Sequence, residues 1–222
     1  PPLDNLAIDS NDIIYVSQPA RGAIVRIDPA TGIETEIVPG NMGIPGGLSI
    51  SEHNGRETIF VADDYGFRLV DTESGDIWAT TDLAEFMDPN AASDIAMNDD
   101  VILLSDVSRS RVYMLDRKTG EKIQKWRGIG TPYGVALLDS GNPVFAAFDK
   151  GQLILLDKTD RKLRTVLADG LAGPVGLAKA GPDTLLVTEA IAGRDSQIDL
   201  TNGRRTTIAE GLIQPEGLTI MS

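Results

Sequence analysis

Short runs of alternating apolar and polar residues, bounded by Gly, Pro, Asp or Asn, follow one another along the whole chain. That pattern is the one half-buried β-strands write. Residues 26–38, RIDPATGIETEIV, show the unit plainly. One run ends at Asp28, the corner Asp-Pro-Ala-Thr-Gly follows, and a second run leaves from Ile33. The Asp side chain can accept a backbone N–H two residues on, Pro29 presets φ, and Gly32 can take the left-handed conformation of a bulged hairpin loop. The same corner recurs at Asp71, Asp116, Asp157 and Asp199, at spacings of 43, 45, 41 and 42 residues. Only the fourth copy lacks the glycine, with Arg161 in its place.

A period of this length matches one four-stranded propeller blade. Each repeat holds four runs, A to D, with run B the most apolar and the Asp corner between C and D. The expected fold is all-β: a β-propeller of four-stranded antiparallel blades in a single domain over residues 1–222. The blades fall near residues 1–44, 45–91, 92–131, 132–173 and 174–214. Run A occurs six times, starting at Leu3, Pro45, Ala92, Pro132, Pro174 and Pro215, while B, C and D occur five times. Residues 215–222 therefore read as the first strand of a sixth blade, as in an excerpt of a six-bladed propeller. The alternative is a five-bladed ring with residues 216–221 stacked on as an extra strand. One helical turn is predicted around Leu83 to Met87, with Asp82 as its N-cap and Pro89 closing it.

Strand A opens with P-x-G-[LV] in PGGL, PYGV, PVGL and PEGL. With the stretch VILLSDVSRSRVYMLDRKTG, this resembles the six-bladed propellers of the NHL-repeat type and of the gluconolactonase, senescence-marker-protein and strictosidine-synthase superfamily. The resemblance covers essentially the whole chain. It implies a fold that serves lactonases, other hydrolases, lyases and binding modules alike.

Charge and composition narrow the partners. The chain carries 33 acidic and 20 basic residues, a net charge of −13 and a pI near 4.4, so nucleic acid is repelled at long range. A local basic segment, RKTGEKIQKWR at residues 117–127, reads as a solvated outer edge that resists aggregation. No run approaches the roughly 18 apolar residues of a membrane span, and no signal peptide is visible. Without cysteine, stability comes from packing and sheet pairing. No residue pattern fixes the compartment; an extracytoplasmic one, periplasmic or secreted, is the expectation.

Antiparallel strands bring the start of A and the end of B to one face of a propeller. The starts of A supply Asp4, Asn5, Gly46, Ser93, Asp94, Tyr133, Val175 and Glu216, and the ends of B supply Gln18, Asp63, Asp64, Asp106, Asp149 and Glu189. Crowded carboxylates bind a cation, pair with bases or share protons. On the first reading Glu216, Asp4, Asn5 and Asp94 ligate Ca²⁺. On the second, Asp106 pairs with Arg109 or Arg111, Asp64 with Arg68, and Glu189 with Arg194. In the gluconolactonase-like enzymes the metal is held by Glu, Asn and Asp near the starts of inner strands, which the resemblance carries to Glu216, Asp4, Asn5 and Asp94. Gly46, Tyr133 and Val175 depart from that set.

Two functions follow. One is a binding module that takes a small ligand or a protein partner on its acidic top face. The other is a Ca²⁺-dependent hydrolase, a lactonase or esterase, with Asp94 or Asp149 as general base. A purely structural disc is the third reading. His53 reads as a turn residue on the opposite face, and one histidine without cysteine supplies neither a catalytic triad nor a usual zinc site.

Overall fold

In a computed structural model, the structure describes residues 4–64, 66–85, 87–88 and 91–220. Leu3, Pro89 and residues 221–222, which figure in the expectations above, lie outside them. Blade one is β1 (Leu6–Ile8), β2 (Ile14–Gln18), β3 (Ala23–Asp28) and β4 (Ile33–Val38), and blade two is β5 (Leu48–His53), β6 (Arg56–Asp63), β7 (Gly66–Asp71) and β8 (Ile77–Asp82). Blade three is β9 (Ala92–Met97), β10 (Val101–Asp106), β11 (Arg111–Asp116) and β12 (Lys122–Arg127). Blade four is β13 (Pro132–Leu137), β14 (Pro143–Ala147), β15 (Gln152–Leu156) and β16 (Arg164–Ala168), and blade five is β17 (Pro174–Gly181), β18 (Thr184–Glu189), β19 (Arg194–Asp199) and β20 (Arg205–Glu210). Every blade is a meander of four antiparallel strands in chain order, and the five blades stand in a propeller ring.

The Asp corners explain the hairpins between third and fourth strands. Gly32 N–H donates to the Asp28 carbonyl at 2.7 Å, and Ala30 N–H to Asp28 Oδ1 at 2.8 Å. Corresponding bonds join Gly75 to Asp71, Gly120 to Asp116 and Gly203 to Asp199. Gly32 has φ of +70°, which a side chain would strain. The fourth corner, without glycine, keeps the Asp157 Oδ1 bonds from the Thr159 and Asp160 N–H groups, as at Asp71 and Asp116, but closes with Leu163 N–H on the Asp160 carbonyl.

The core lies between blades rather than at one centre. Tyr15, Ile24, Ile59 and Val61 pack blade one on blade two, and Phe60, Phe67, Leu104 and Tyr113 pack two on three. Leu103, Trp126, Phe145 and Ile154 join three to four, and Leu153, Leu177, Leu185 and Ile198 join four to five. Around Leu83 to Met87 the described residues form a single turn, as expected. Asp82 Oδ1 accepts the Ala84 N–H, Met87 N–H reaches the Leu83 carbonyl, and both apolar side chains anchor in the core between blades two and three.

The chain holds five complete blades, as the spacing of the Asp corners predicts, rather than the six of the propellers it resembles. Residues 215–220 join no strand ladder. They still occupy an inner position between blades five and one. Gly217 N–H donates to the Asp4 carbonyl at 3.0 Å, and Gly176 of β17 lies directly against the Glu216 carbonyl. Ile208 of β20 is 52% exposed and Ile213 93%.

Candidate functional site: the mouth of the central channel

The P-x-G-[LV] motif acquires a role for each position. The apolar residue lines the central channel, where Leu6, Leu48, Ile95, Val135, Leu177 and Leu218 together surround a cavity of about 520 Å³. The glycine position is where inner strands touch. Gly47 lies against Asp94, Gly134 against the Val175 carbonyl, Gly176 against the Glu216 carbonyl, and a side chain on Gly217 would come within 2.7 Å of the Asn5 Cα. The x position faces the mouth, where Asp4, Ser93, Tyr133, Val175 and Glu216 line a second cavity of about 20 Å³. That is room for roughly one water-sized group.

Two inner strands break the glycine rule, at Asn5 and Asp94. These two side chains meet: Asn5 Nδ2 donates to Asp94 Oδ1 at 3.0 Å. Asp94 Oδ2 accepts the Val135 N–H at 2.8 Å, and Asn5 Oδ1 accepts the Leu6 N–H at 2.8 Å. Both residues line both cavities, so the pair forms the partition between mouth and channel.

The mouth carboxyls hold their protons unusually well. Burial pushes Asp94 up to about 7, against the hydrogen bonds from Val135 and Asn5 that favour its charged form. Burial likewise pushes Asp4 up to about 6. Glu216 is raised by burial and then by the neighbouring Asp4. Neither the Asp4 nor the Glu216 carboxyl has a hydrogen-bond partner among the described residues. Tyr133 completes the rim with its ring 5.2 Å from that of Phe148.

The structure thus brings Asp4, Asn5, Asp94 and Glu216 together and leaves Asp149 elsewhere. Asp149 is exposed in a 3-10 turn at Phe148–Lys150, where its Oδ1 accepts the Thr131 N–H at 2.7 Å. Of the other acids at the ends of the second strands, Asp63 and Glu189 also serve the turns between blades. Asp63 Oδ2 accepts the Gly43 N–H at 3.2 Å and is held by Arg68, whose other arm reaches Asp64 at 3.4 Å. Glu189 Oε2 accepts the Ala172 N–H at 2.8 Å, while Arg194, Ser196 and Arg205 surround the rest of its carboxylate. Burial works to raise Glu189, and the Arg194 fork, the Ala172 N–H and the Ser196 hydroxyl overcome it, bringing it down to about 2. Of the two partners expected for Asp106, Arg109 offers its backbone N–H at 2.8 Å and turns its guanidinium to Asp88.

As a calcium cage the mouth is incomplete. Calcium takes six to eight oxygens, roughly. Asp94 already spends both oxygens and Asn5 its one on protein N–H groups, leaving Asp4 and Glu216 as unpartnered donors. Among the described residues no three acids, histidines or cysteines stand together in a metal-holding arrangement. The signal for the Asn5–Asp94 pair was present in the sequence, as two polar residues standing where the motif otherwise demands glycine.

His53 ends β5, away from these cavities, with its ring 5.3 Å from Trp78 and 5.6 Å from Phe60. Among the described residues no helix is long and apolar enough to cross a membrane.

No family model and no curated protein matches the chain. Solved structures do. A nidogen/laminin complex superposes with a TM-score of 0.79 at 19% identity, covering 98% of this chain and 84% of that one. A catalytically inactive virginiamycin B lyase from Staphylococcus aureus with quinupristin gives 0.73 at 17% identity, covering 98% and 74%. A streptogramin B lyase gives 0.72 at 12% identity, covering 98% and 72%. At these identities the likeness establishes the propeller fold alone.

Proposed function

We propose that this propeller is a binding module whose top-face mouth captures a cationic group of a small ligand or protein partner. The observation that carries it is the pair of unpartnered carboxyls, Asp4 and Glu216, facing a cavity of about 20 Å³ closed below by Asn5 and Asp94. An ammonium or a single ion fits that space, and the body of the ligand rests outside on the rim. Two carboxyls forced together and away from water gain by exchanging a shared proton for a cation. Tyr133 adds an aromatic face of the kind cations favour. The structural neighbours are in keeping with binding through this fold: one is described in a nidogen/laminin complex and another with quinupristin. The narrower kinship with NHL-repeat and gluconolactonase-type propellers belongs to this proposal too.

The second reading, a Ca²⁺-dependent hydrolase of lactones or esters, is favoured by one observation. Asp94, raised to about 7, has the proton affinity of a general base at neutral pH. Against it stand the two hydrogen bonds that occupy Asp94 and a mouth too small to admit a lactone ring.

Isothermal titration with calcium chloride and with spermidine tests the binding reading. It expects saturable binding of at least one cation, abolished in an Asp4→Asn/Glu216→Gln variant. Absence of binding by both, in protein that melts cooperatively, contradicts it. A lactone and ester panel run with calcium then addresses hydrolysis separately.

A further inference from the structure

A further cavity lies on the outer rim, remote in sequence from the mouth. It measures about 480 Å³ and is lined by Lys125, Trp126, Arg127, Arg161, Lys162 and Arg164, five bases and one tryptophan with no carboxylate. In a chain where acids outnumber bases 33 to 20, such a lining is unexpected. The fold explains how it forms. β12 ends blade three with Lys125 and Arg127 flanking the buried Trp126, and the glycine-free corner of blade four swings Arg161 and Lys162 toward it ahead of β16.

The cations of this cleft are uncompensated. Among the described residues, the side chains of Lys125, Arg127, Arg161 and Lys162 form no ion pair. Arg164 is fixed by the Arg127 and Gly128 carbonyls, at 2.8 and 3.3 Å, which orient its guanidinium without neutralising it. The acids of the corner turn to backbone donors rather than to these cations: Asp157 Oδ1 accepts N–H bonds from Thr159 and Asp160, and Asp160 Oδ1 accepts that of Lys162. Desolvation and the nearby charges of Arg127, Lys122, Arg111 and Arg109 push the Lys125 ammonium down from its ordinary range.

We infer that this cleft is an anion subsite that takes the phosphate or sulfate group of a compact ligand. Guanidinium forks match tetrahedral oxyanions in geometry, and such charge-assisted bonds are strong. Compactness follows from the charge balance. At physiological salt the field of the five cations prevails only within about 8 Å, and beyond it a long polyanion meets a molecule of net charge −13.

Trp126 supplies the reporter, since its indole N–H donates to the Asp157 carbonyl at 3.2 Å in the wall of the cleft. Trp78→Phe leaves it as the only tryptophan. The experiment titrates this variant with sodium pyrophosphate and with sodium sulfate, at ionic strength held constant with sodium chloride. The inference expects a saturable fluorescence change for one or both, which identifies the preferred oxyanion. Adding Arg127→Gln and Lys162→Gln, which leave Arg164 in place, should weaken it by about 10-fold or more. No saturable change, the same change with chloride alone, or an unaltered midpoint in the double-Gln variant overturns the inference. So does long-chain polyphosphate binding more than a thousandfold tighter than pyrophosphate, which marks a polyelectrolyte surface instead. Circular dichroism of each variant confirms that the blades remain folded, and Arg127→Lys, which keeps the charge but not the fork, should weaken binding less than Arg127→Gln does.

Discussion

Asn5 and Asp94, 89 residues apart in the chain, are joined side chain to side chain by a 3.0 Å hydrogen bond. The bond links blade one to blade three across the glycine of blade two, and it closes the floor of the mouth. Asp94→Ala leaves the Asn5 amide and the buried Val135 N–H without their acceptor. Its expected cost is about 2 to 4 kcal/mol, summed over the two lost bonds. Asp94→Asn keeps the shape and one acceptor and is expected to cost less than half as much. Urea unfolding of the two variants checks the order.

The raised carboxyls give stability a definite pH dependence. Asp94 and Asp4 bind protons more tightly in the folded chain, at about 7 and about 6, than at their ordinary value of 3.8. Their contribution is therefore fully present below about pH 4 and is lost as pH rises through 6 and 7. Glu189 acts in the opposite sense: its contribution is present above 4.5 and is lost as pH falls toward 2. The melting temperature should fall between pH 5 and pH 8, and Asp94→Asn should flatten that fall. Thermal melts at constant ionic strength across this range provide the measurement.

Two glycines separate crowding from backbone strain. A methyl on Gly47 would overlap Asp94 Oδ1 and lie 2.6 Å from the Asp94 Cα, where backbone cannot retreat. Gly47→Ala is expected to destabilise by about 3 kcal/mol or more, as an overpacked core position does at its upper end. A methyl on Gly32 meets nothing within 4 Å, so Gly32→Val carries only the strain of φ at +70°, roughly 1 to 2 kcal/mol. Equal costs would remove the inner-strand contact as the reason for the motif's glycine.

Much of this architecture was legible in the residues. The Asp corners had local chemistry that dictates one turn, and their spacing fixed the number of complete blades. The starts of the inner strands led directly to Asp4, Asn5, Asp94 and Glu216 because repeat position is also position around the axis. Asp63, Asp149 and Glu189 were harder to read. They sit near the same face, yet each receives an N–H from the preceding interblade loop, a partner that only the folded loop supplies. His53 shows the same limit. As an isolated turn residue its removal should cost nothing, but its contacts with Phe60 and Trp78 raise the expectation to about 1 kcal/mol.

The buried ion pair at Glu189 yields a further contrast with an exposed acid. Glu189→Ala removes the acceptor of Arg194, Arg205 and the Ala172 N–H, and since both guanidiniums keep contact with solvent the expected loss is about 2 to 3 kcal/mol. Asp149→Ala removes a single bond at an exposed turn and should cost about 1 kcal/mol. Denaturant midpoints for both variants test the assignment of these acids to interblade turns.

The most direct test of a cation-capturing mouth is the carboxyl titration of Asp4 and Glu216 by ¹³C NMR, alone and with saturating calcium chloride or spermidine. In the free protein Asp4 should titrate near 6 and Glu216 above its ordinary 4.5; with the bound cation both should fall well below those values. Titration curves that coincide with and without either cation, or an Asp4 carboxyl that titrates at its ordinary 3.8 in the free protein, would contradict the account.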